Sequence, residues 1–423
     1  MLLLYDFLLA AYSALIHLAA LVNPKARAWV RGRTHPEKAL SSLRSHPEEP
    51  VVWIHCASLG EFEQGRPVLE AIRQDYPQHR ILLTFFSPSG YETRKHYAMA
   101  DLVCYLPLDG RYRSRHFLNE VRPCLAIFIK YEHWQYYLSE LSMRGIPTLS
   151  VSAVFRPSQP FFQSYGGFWR KMLQHYSRVF VQDASSWQLL ARIGLSSKAE
   201  VSGDTRFDRV LSIASSPLPV PWMADFIQGR HTLVAGSTWP DDERLLALLA
   251  DQIPDLVILI APHEFNEQRL SDLEKRIPGT LRFSNCQSLR NPSASIRLQG
   301  RCLVVDNFGW LSSIYQYATI AYVGGGFNRS GIHNILEAVV YGIPVFFGPH
   351  YERSREAFDL VALKGAYSVG DDVILSQRIT ELLTDQPLRT EIGQRNAGYV
   401  QTQAGATNTV LRYIHSNRLL SKP

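Results

Sequence analysis

Short apolar runs alternate with helix-length segments along most of this chain. VVWIHCAS (51–58), RILLTFF (80–86), LVCYLP (102–107), CLAIFIK (124–130), IPTLSVS (146–152) and RVFVQD (178–183) read as strands. They are nearly continuous in apolar residues, as strands of a parallel sheet covered on both faces are. With helical segments between them, the pattern is βαβ. SSPLPVP (215–221) then places three prolines in seven residues and reads as a linker. A second series follows: HTLVAGS (231–237), DLVILIAP (255–262), RCLVVDN (301–307), TIAYVGGG (319–326) and PVFFGP (344–349). The expectation is an α/β protein of two Rossmann-like, doubly wound domains. Ligands would sit at the carboxyl ends of the strands, in a cleft between the two sheets. A last helical stretch, about Pro387 to Leu420, is expected to pack back across the linker.

Thr319 to His350 is the most informative stretch. A β-leaning run leads directly into Gly324, Gly325 and Gly326. Ile335, Leu336, Val339 and Val340 then give a helical period from about His333, stopped by Gly342 and Pro344. A strand, a glycine turn and a helix N-terminus together offer main-chain N–H groups to an anion. Glycines there let the main chain approach a ligand closely. His333, Asn334 and Glu337, at i, i+1 and i+4, can converge on one helix end, with Glu337 within reach of a ribose diol. The competing reading is an ordinary βαβ turn with Glu337 solvated.

The first 22 residues change the picture of a plain soluble protein. Leu2 to Val22 is nearly all apolar, interrupted by Asp6, Ser13 and His17, and is followed by Lys25, Arg27, Arg31 and Arg33. Its length just suffices to span a bilayer, and the basic flank would hold the next domain on the cytoplasmic side. An amphipathic helix lying in the interface, or packed on the protein, fits the same residues. The full 423 residues suit about two domains. Hydrophobic residues at 46% and charged residues at 19% exclude a disordered chain. A net charge of +6 suits an anionic partner, whether phospholipid, phosphorylated glycolipid or nucleic acid. Five scattered cysteines without metal-ligand spacing suggest neither a disulfide framework nor a zinc site.

Candidate chemistry clusters at strand ends. Ser58 and Glu61 have the spacing of a capping box, with Ser58 at N-cap and Glu61 at N3. The functional alternative makes Glu61 a general base at the end of the first strand. Ser87, Ser89 and Gly90 follow the second strand and either cradle an anionic group or form a turn. Arg111, Arg113 and Arg115 form a charge run, solvated or facing lipid phosphates. Glu132, at the end of the fourth strand, either faces the cleft or pairs with Lys130. FRPSQPFFQSYGGFWR (155–170) suits an amphiphile-binding loop, or an aromatic core segment. In the second series, Gly236-Ser237-Thr238 ends one strand and Ala261-Pro262-His263 another. Asp241, Asp242 and Glu243 are explained by the dipole of the helix they begin, and no metal is needed.

HCASLGE, SPSG, the Glu132 loop, GDTRFD (203–208), AGST, PH (262–263) and GGGFNRSGIHNILE, in this order and spacing, resemble the 3-deoxy-D-manno-octulosonic acid (Kdo) transferases of lipopolysaccharide synthesis. The resemblance covers nearly the whole chain. It implies a GT-B fold whose parts are a membrane anchor with basic flank (1–33), an acceptor-binding domain (34–214), a proline-rich linker (215–230), a nucleotide-sugar-binding domain (231–405) and a returning C-terminal helix (406–423). The implied reaction is inverting transfer of Kdo from CMP-Kdo to a lipid A precursor, without metal or other cofactor. It would take place at the cytoplasmic face of the inner membrane, among phospholipid and without nucleic acid. Glu61 would be the catalytic base, and Ser58, Gly60, Ser87, Ser89, Gly90, Glu132 and Arg156 would line the acceptor or sugar cleft. Ser237, Thr238, His263, Gly324, Gly325, Gly326, His333, Asn334 and Glu337 would hold the nucleotide. The family often has an arginine where Pro262 stands, which leaves Arg329 or Arg353 as substitutes. The runner-up readings are another GT-B nucleotide-sugar enzyme, such as a 2-epimerase or a lipid-linked glycosyltransferase, and a membrane glycolipid-binding protein without turnover.

Overall fold

The computed structural model describes residues 1–34, 40, 48–288 and 300–420. It divides into two compact units: Met1–Arg209 with Ala404–Pro423, and Val210–Gln403. The first carries strands Val51–Cys56 (β1), Arg80–Phe85 (β2), Leu102–Tyr105 (β3), Pro123–Ile129 (β4), Thr148–Ala153 (β5), Arg178–Val181 (β6) and Ala199–Val201 (β7). They form one parallel sheet in the order β3-β2-β1-β4-β5-β6-β7. The second carries Thr232–Thr238 (β8), Val257–Pro262 (β9), Thr280–Arg282 (β10), Cys302–Val304 (β11), Ile320–Val323 (β12), Val345–Phe347 (β13) and Ala366–Ser368 (β14). These are again parallel, in the order β10-β11-β9-β8-β12-β13-β14. β7, β10 and β14, which the apolar pattern does not show, all lie at sheet edges. A strand paired on one side only needs no continuous apolar run.

Residue alternation along β1 explains the two layers of the first unit. Val52, Ile54 and Cys56 face one buried cluster, Val51 and Trp53 the other. The cluster around Val52 is completed by Val410, Ile414 and Leu420 of the returning C-terminal segment, whose helix is Ala406–Ser416; residues 421–423 lie outside the described ones. Asp208 anchors that return, its carboxylate accepting from Gly405 N at 2.6 Å and Thr407 N at 2.7 Å. GDTRFD therefore builds the place where the chain leaves this unit and comes back to it. The proline-rich stretch is not a free linker. Val220, Trp222, Met223 and Phe226 are buried, and Leu218 N and Val220 N donate to Ser313 Oγ and Tyr317 Oη of the second unit.

The N-terminal segment is likewise part of the first unit rather than a detached anchor. In helix Leu2–Ala19 no residue is fully buried. One side nevertheless docks: Tyr5 Oη donates to Asp109, Tyr136 Oη donates to Asp6, and Tyr12 packs on Trp29 and Phe86. Leu3, Phe7, Leu15 and Leu18 of the helix remain exposed, as do Leu21 and Val22 beyond it. The expected basic flank is partly structural. Arg33 donates to the carbonyls of Leu106, Trp29 and Phe86 and lies over the Trp29 ring at 3.9 Å. Burial lowers its pKa to about 10. Arg27 caps the carbonyls of Ala20 and Leu21.

In the first sheet the strand order reverses between β1 and β4, and in the second it reverses in the same way between β8 and β12, with β11 inserted between β9 and β10. Outside the carboxyl ends at such a switch point, the flanking loops part and leave a crevice for a ligand.

Candidate active site

The β1/β4 switch point collects the carboxylates of the first unit. β1 ends in Ser58, the extended N-cap residue of helix Leu59–Asp75. The capping box expected there does not form, because the Ser58 hydroxyl does not accept from the helix backbone. It donates to Glu61 Oε2 instead. Glu61 is thus held by a side chain in the first helical turn, half-buried, beside the exposed Gly60. After β2, Ser87 and Ser89 bond to each other at 2.7 Å. Gly90 corrects the expectation of a cradle glycine: it is buried, and a Cβ there would strike the Phe85 ring at 2.2 Å. Its small size serves packing of helix Pro88–Arg94 on β2.

After β4 the chain passes through Lys130 in the left-handed region, φ +69°. Strain of this kind persists where surrounding structure fixes it, as at sites. Glu132 follows, 9% exposed. Its Oε2 accepts from Trp134 Nε1 at 2.7 Å and lies 3.0 Å from His55 Nε2. Tyr131 is the residue sequence reasoning overlooked. Burial raises its phenol pKa, and Arg156, Glu61, Arg206 and Asp183 lie close enough to act on it. Arg156 is exposed, its main-chain N–H held by Gln159. The aromatic segment is mainly core: Phe155 and Phe161 are buried and pack on the His133 ring. Burial pushes His133 down to about 4, against the opposing charge of Glu132.

The β8/β12 switch point is organised by Asp242, a residue the sequence explains by helix dipole alone. It sits fully buried in helix Pro240–Gln252 and accepts from Trp239 N at 2.8 Å, Gly325 N at 2.9 Å and Tyr322 Oη at 2.8 Å. Gly324 N donates to Gly236 O at 2.9 Å. Two of the three glycine amides expected to face an anion are therefore already taken. All three glycines are buried, and a Cβ on Gly324 or Gly326 would strike the backbone of Ser237 or Gly348. The triplet lets β12 close on its neighbours, which corrects its expected role. Thr238 is also committed: it is buried, with its hydroxyl on Glu243, and Arg269 bridges Glu243 to the Thr238 carbonyl. Ser237, at φ +54°, is the strained residue beside it.

Helix Leu336–Val339 has four residues and begins at Leu336 rather than near His333. Its macrodipole is accordingly small. Asn334, exposed, donates to Glu337 at 3.2 Å. His333 has a different set of partners. It stacks on His263 at 4.2 Å, and His263 stacks on Trp239 at 5.0 Å. Trp239 Nε1–H donates to His333 Nε2 at 3.1 Å, which leaves the His333 proton on Nδ1. Burial, helped by His263, pushes His333 down to about 4. Three flat rings beside Ser237 offer an apolar, stacking surface of the kind planar ligand groups occupy. Arg329 and Arg353 are exposed.

A family model described as 3-Deoxy-D-manno-octulosonic-acid transferase (kdotransferase) matches residues 31–209. The 3-deoxy-D-manno-octulosonic acid transferase of Haemophilus influenzae is 30% identical over 374 residues, covering 84% of each chain. That of Aquifex aeolicus is 25% identical over 361 residues, covering 83% of this chain and 90% of its own. Among solved structures, the UDP-GlcNAc 2-epimerase of Neisseria meningitidis matches with a TM-score of 0.59 at 13% identity, over 87% of this chain and 100% of that one. A putative UDP-N-acetylglucosamine 2-epimerase of Listeria monocytogenes gives 0.56 at 11% identity, over 89% and 98%. The epimerases share the GT-B-like fold of two parallel seven-stranded sheets, and that alone is carried over. By its likeness to the Haemophilus enzyme along most of both chains, this protein belongs to the Kdo transferase family of glycosyltransferases.

Proposed function

We propose that this protein transfers Kdo from CMP-Kdo to a lipid A precursor, with inversion at the Kdo anomeric carbon. The observation that carries the reading is Glu61, held by Ser58 at the carboxyl end of β1. One carboxylate oxygen accepts the Ser58 hydroxyl, and the other is left to take the proton of a sugar hydroxyl. As that hydroxyl attacks, the bond from the anomeric carbon to the CMP phosphate oxygen breaks and CMP leaves with the electron pair. A carboxylate in the first turn of a helix is a weak base, so it acts late, as the attacking oxygen becomes acidic.

The second unit binds the nucleotide. Ser237, His263 and the Trp239 ring give it a polar edge and a stacking surface, and Asn334 with Glu337 gives a hydrogen-bonding pair for the ribose. The Nδ1–H of neutral His333 is a donor for the phosphate, in place of the glycine amides. No resident metal is required, so EDTA should leave the rate unchanged. The protein works at the cytoplasmic face of the inner membrane. Helix Leu2–Ala19 keeps Tyr5, Asp6 and Tyr12 on the first unit and turns its other side to phospholipid.

The test is direct. Purified protein incubated with CMP-Kdo and tetraacylated lipid A precursor should yield lipid heavier by whole Kdo units in a mass spectrum. Glu61→Gln should lower kcat by about 10²–10⁴-fold while CMP-Kdo still binds. Unchanged lipid mass with wild-type protein, or an unchanged rate with Glu61→Gln, overturns the reading.

A further inference from the structure

Beneath the β1/β4 switch point runs a chain of buried hydrogen bonds that the transfer mechanism above does not use. Trp53 and His55 are two residues apart on β1, and both are 0% exposed. Trp53 Nε1 reaches Thr84 Oγ1 on β2 at 2.8 Å, and His55 Nδ1 reaches the same oxygen at 2.8 Å. His55 Nε2 then reaches Glu132 Oε2 at 3.0 Å, where Trp134 Nε1 also arrives at 2.7 Å.

The proton positions in this chain follow from its ends. An indole N–H can only donate. Thr84 Oγ1 therefore accepts from Trp53 and offers its own hydrogen to His55 Nδ1, while the Glu132 carboxylate, which only accepts, calls for the imidazole proton on Nε2. With Nδ1 accepting, the imidazole carries its proton on Nε2 and donates it to Glu132. Trp134 likewise can only donate, to the same carboxylate oxygen. Glu132 keeps about 10% of its side chain exposed, and neither of its oxygens is among the buried atoms that lack a partner. The side-chain bonds from His55 and Trp134 both end on Oε2, which leaves Oε1 as the oxygen outside the network.

We infer that His55 is a positioning residue for Glu132. Through the tautomer that Thr84 imposes, it pins one carboxylate oxygen so that the other is presented, in a fixed orientation, to a sugar hydroxyl at the strand ends. This deepens the transfer reaction proposed above and rests on it for its kinetic consequence. The groups facing His55 are Thr84 from β2, Phe128 from β4 and Glu132 from the turn after β4; of these, only Glu132 titrates.

Thr84→Val tests this. The variant removes the hydroxyl but keeps the shape, so neutral His55 moves its proton to Nδ1, toward the Thr84 carbonyl at 3.2 Å. Nε2 then meets Glu132 lone pair to lone pair, and the carboxylate is released. Kdo transfer should fall about 10- to 100-fold in kcat, with KM for the lipid nearly unchanged. Thr84→Ser, which restores the hydroxyl, should run near the wild-type rate. NMR of isotope-labelled histidine should find the wild-type His55 proton on Nε2, assigned by its loss in His55→Gln.

A wild-type proton on Nδ1 overturns the inference. So does a Thr84→Val rate equal to wild type, or a Thr84→Ser rate as low as that of Thr84→Val, which is what mere loss of packing would give. Wild-type protein that moves no Kdo counts against the transfer reaction and not against the network, which the His55 tautomer then supports or overturns by itself.

Discussion

Asp242 shows how a single side chain can be read correctly in one respect and missed in another. Its place in the first turn of a helix is visible in the sequence. That it collects donors from Trp239, Gly325 and Tyr322 depends on β8 and β12 lying side by side. Asp242→Ala leaves Gly325 N and Tyr322 Oη without their partner, a change of about 2–5 kcal/mol in stability, readable by urea unfolding of the whole chain. His133 and His333 make a second prediction at this scale. Each is held near 4 by burial, whereas an unfolded histidine titrates near about 6.5. Between those values the unfolded chain binds protons that the folded chain refuses. Stability contributed by both rings is present above the unfolded value and is lost as pH falls through the window, so thermal melting points should drop from about pH 6.5 to about pH 4. His133→Phe should flatten part of that slope.

Elements tell where a helix or strand was legible and where it was not. The central strands are long apolar runs, because both of their faces are covered. The edge strands β7, β10 and β14 are three residues each and carry no such signal. Helix Leu336–Val339 is shorter than its periodicity implies, since His333 and Asn334 are drawn into a ring stack and a side-chain pair before the helix begins. The returning helix Ala406–Ser416 fills the core beside Val52 and Ile54. Ile414→Ala should therefore cost about 2–5 kcal/mol, and Asp208→Ala about 1–3 kcal/mol through its unpaired Gly405 and Thr407 amides. Both are measurable by denaturant unfolding. Gly326→Ala, with a Cβ 2.5 Å from the Gly348 backbone, should destabilise by about 1–3 kcal/mol.

At the scale of the whole molecule, the proposed function sets the N-terminal segment against lipid. A helix tied to the first unit through Tyr5, Asp6 and Tyr12 presents Leu3, Phe7 and Leu15 outward. Glutamate at all three should release the protein from vesicles containing anionic phospholipid by at least about tenfold, since each loses an exposed apolar side chain that the lipid would cover. Binding measured by co-sedimentation checks this, and full retention would show that these side chains do not carry the attachment.

The amino-acid sequence by itself determined two parallel-sheet units, an apolar start followed by basic residues, and which strand ends carry carboxylates and glycines. Those follow from local physics: apolar runs for covered strands, and turn and cap residues at fixed spacings. Only the tertiary structure decided what each group does there. The glycines of β12 are used for backbone packing, their amides go to Asp242 and Gly236, and Glu132 is held by His55 and Trp134. The pairings with Asp242, Gly236 and His55 join residues about 77 to 88 positions apart, and a hydrogen bond satisfied within the fold is one no longer offered to a ligand.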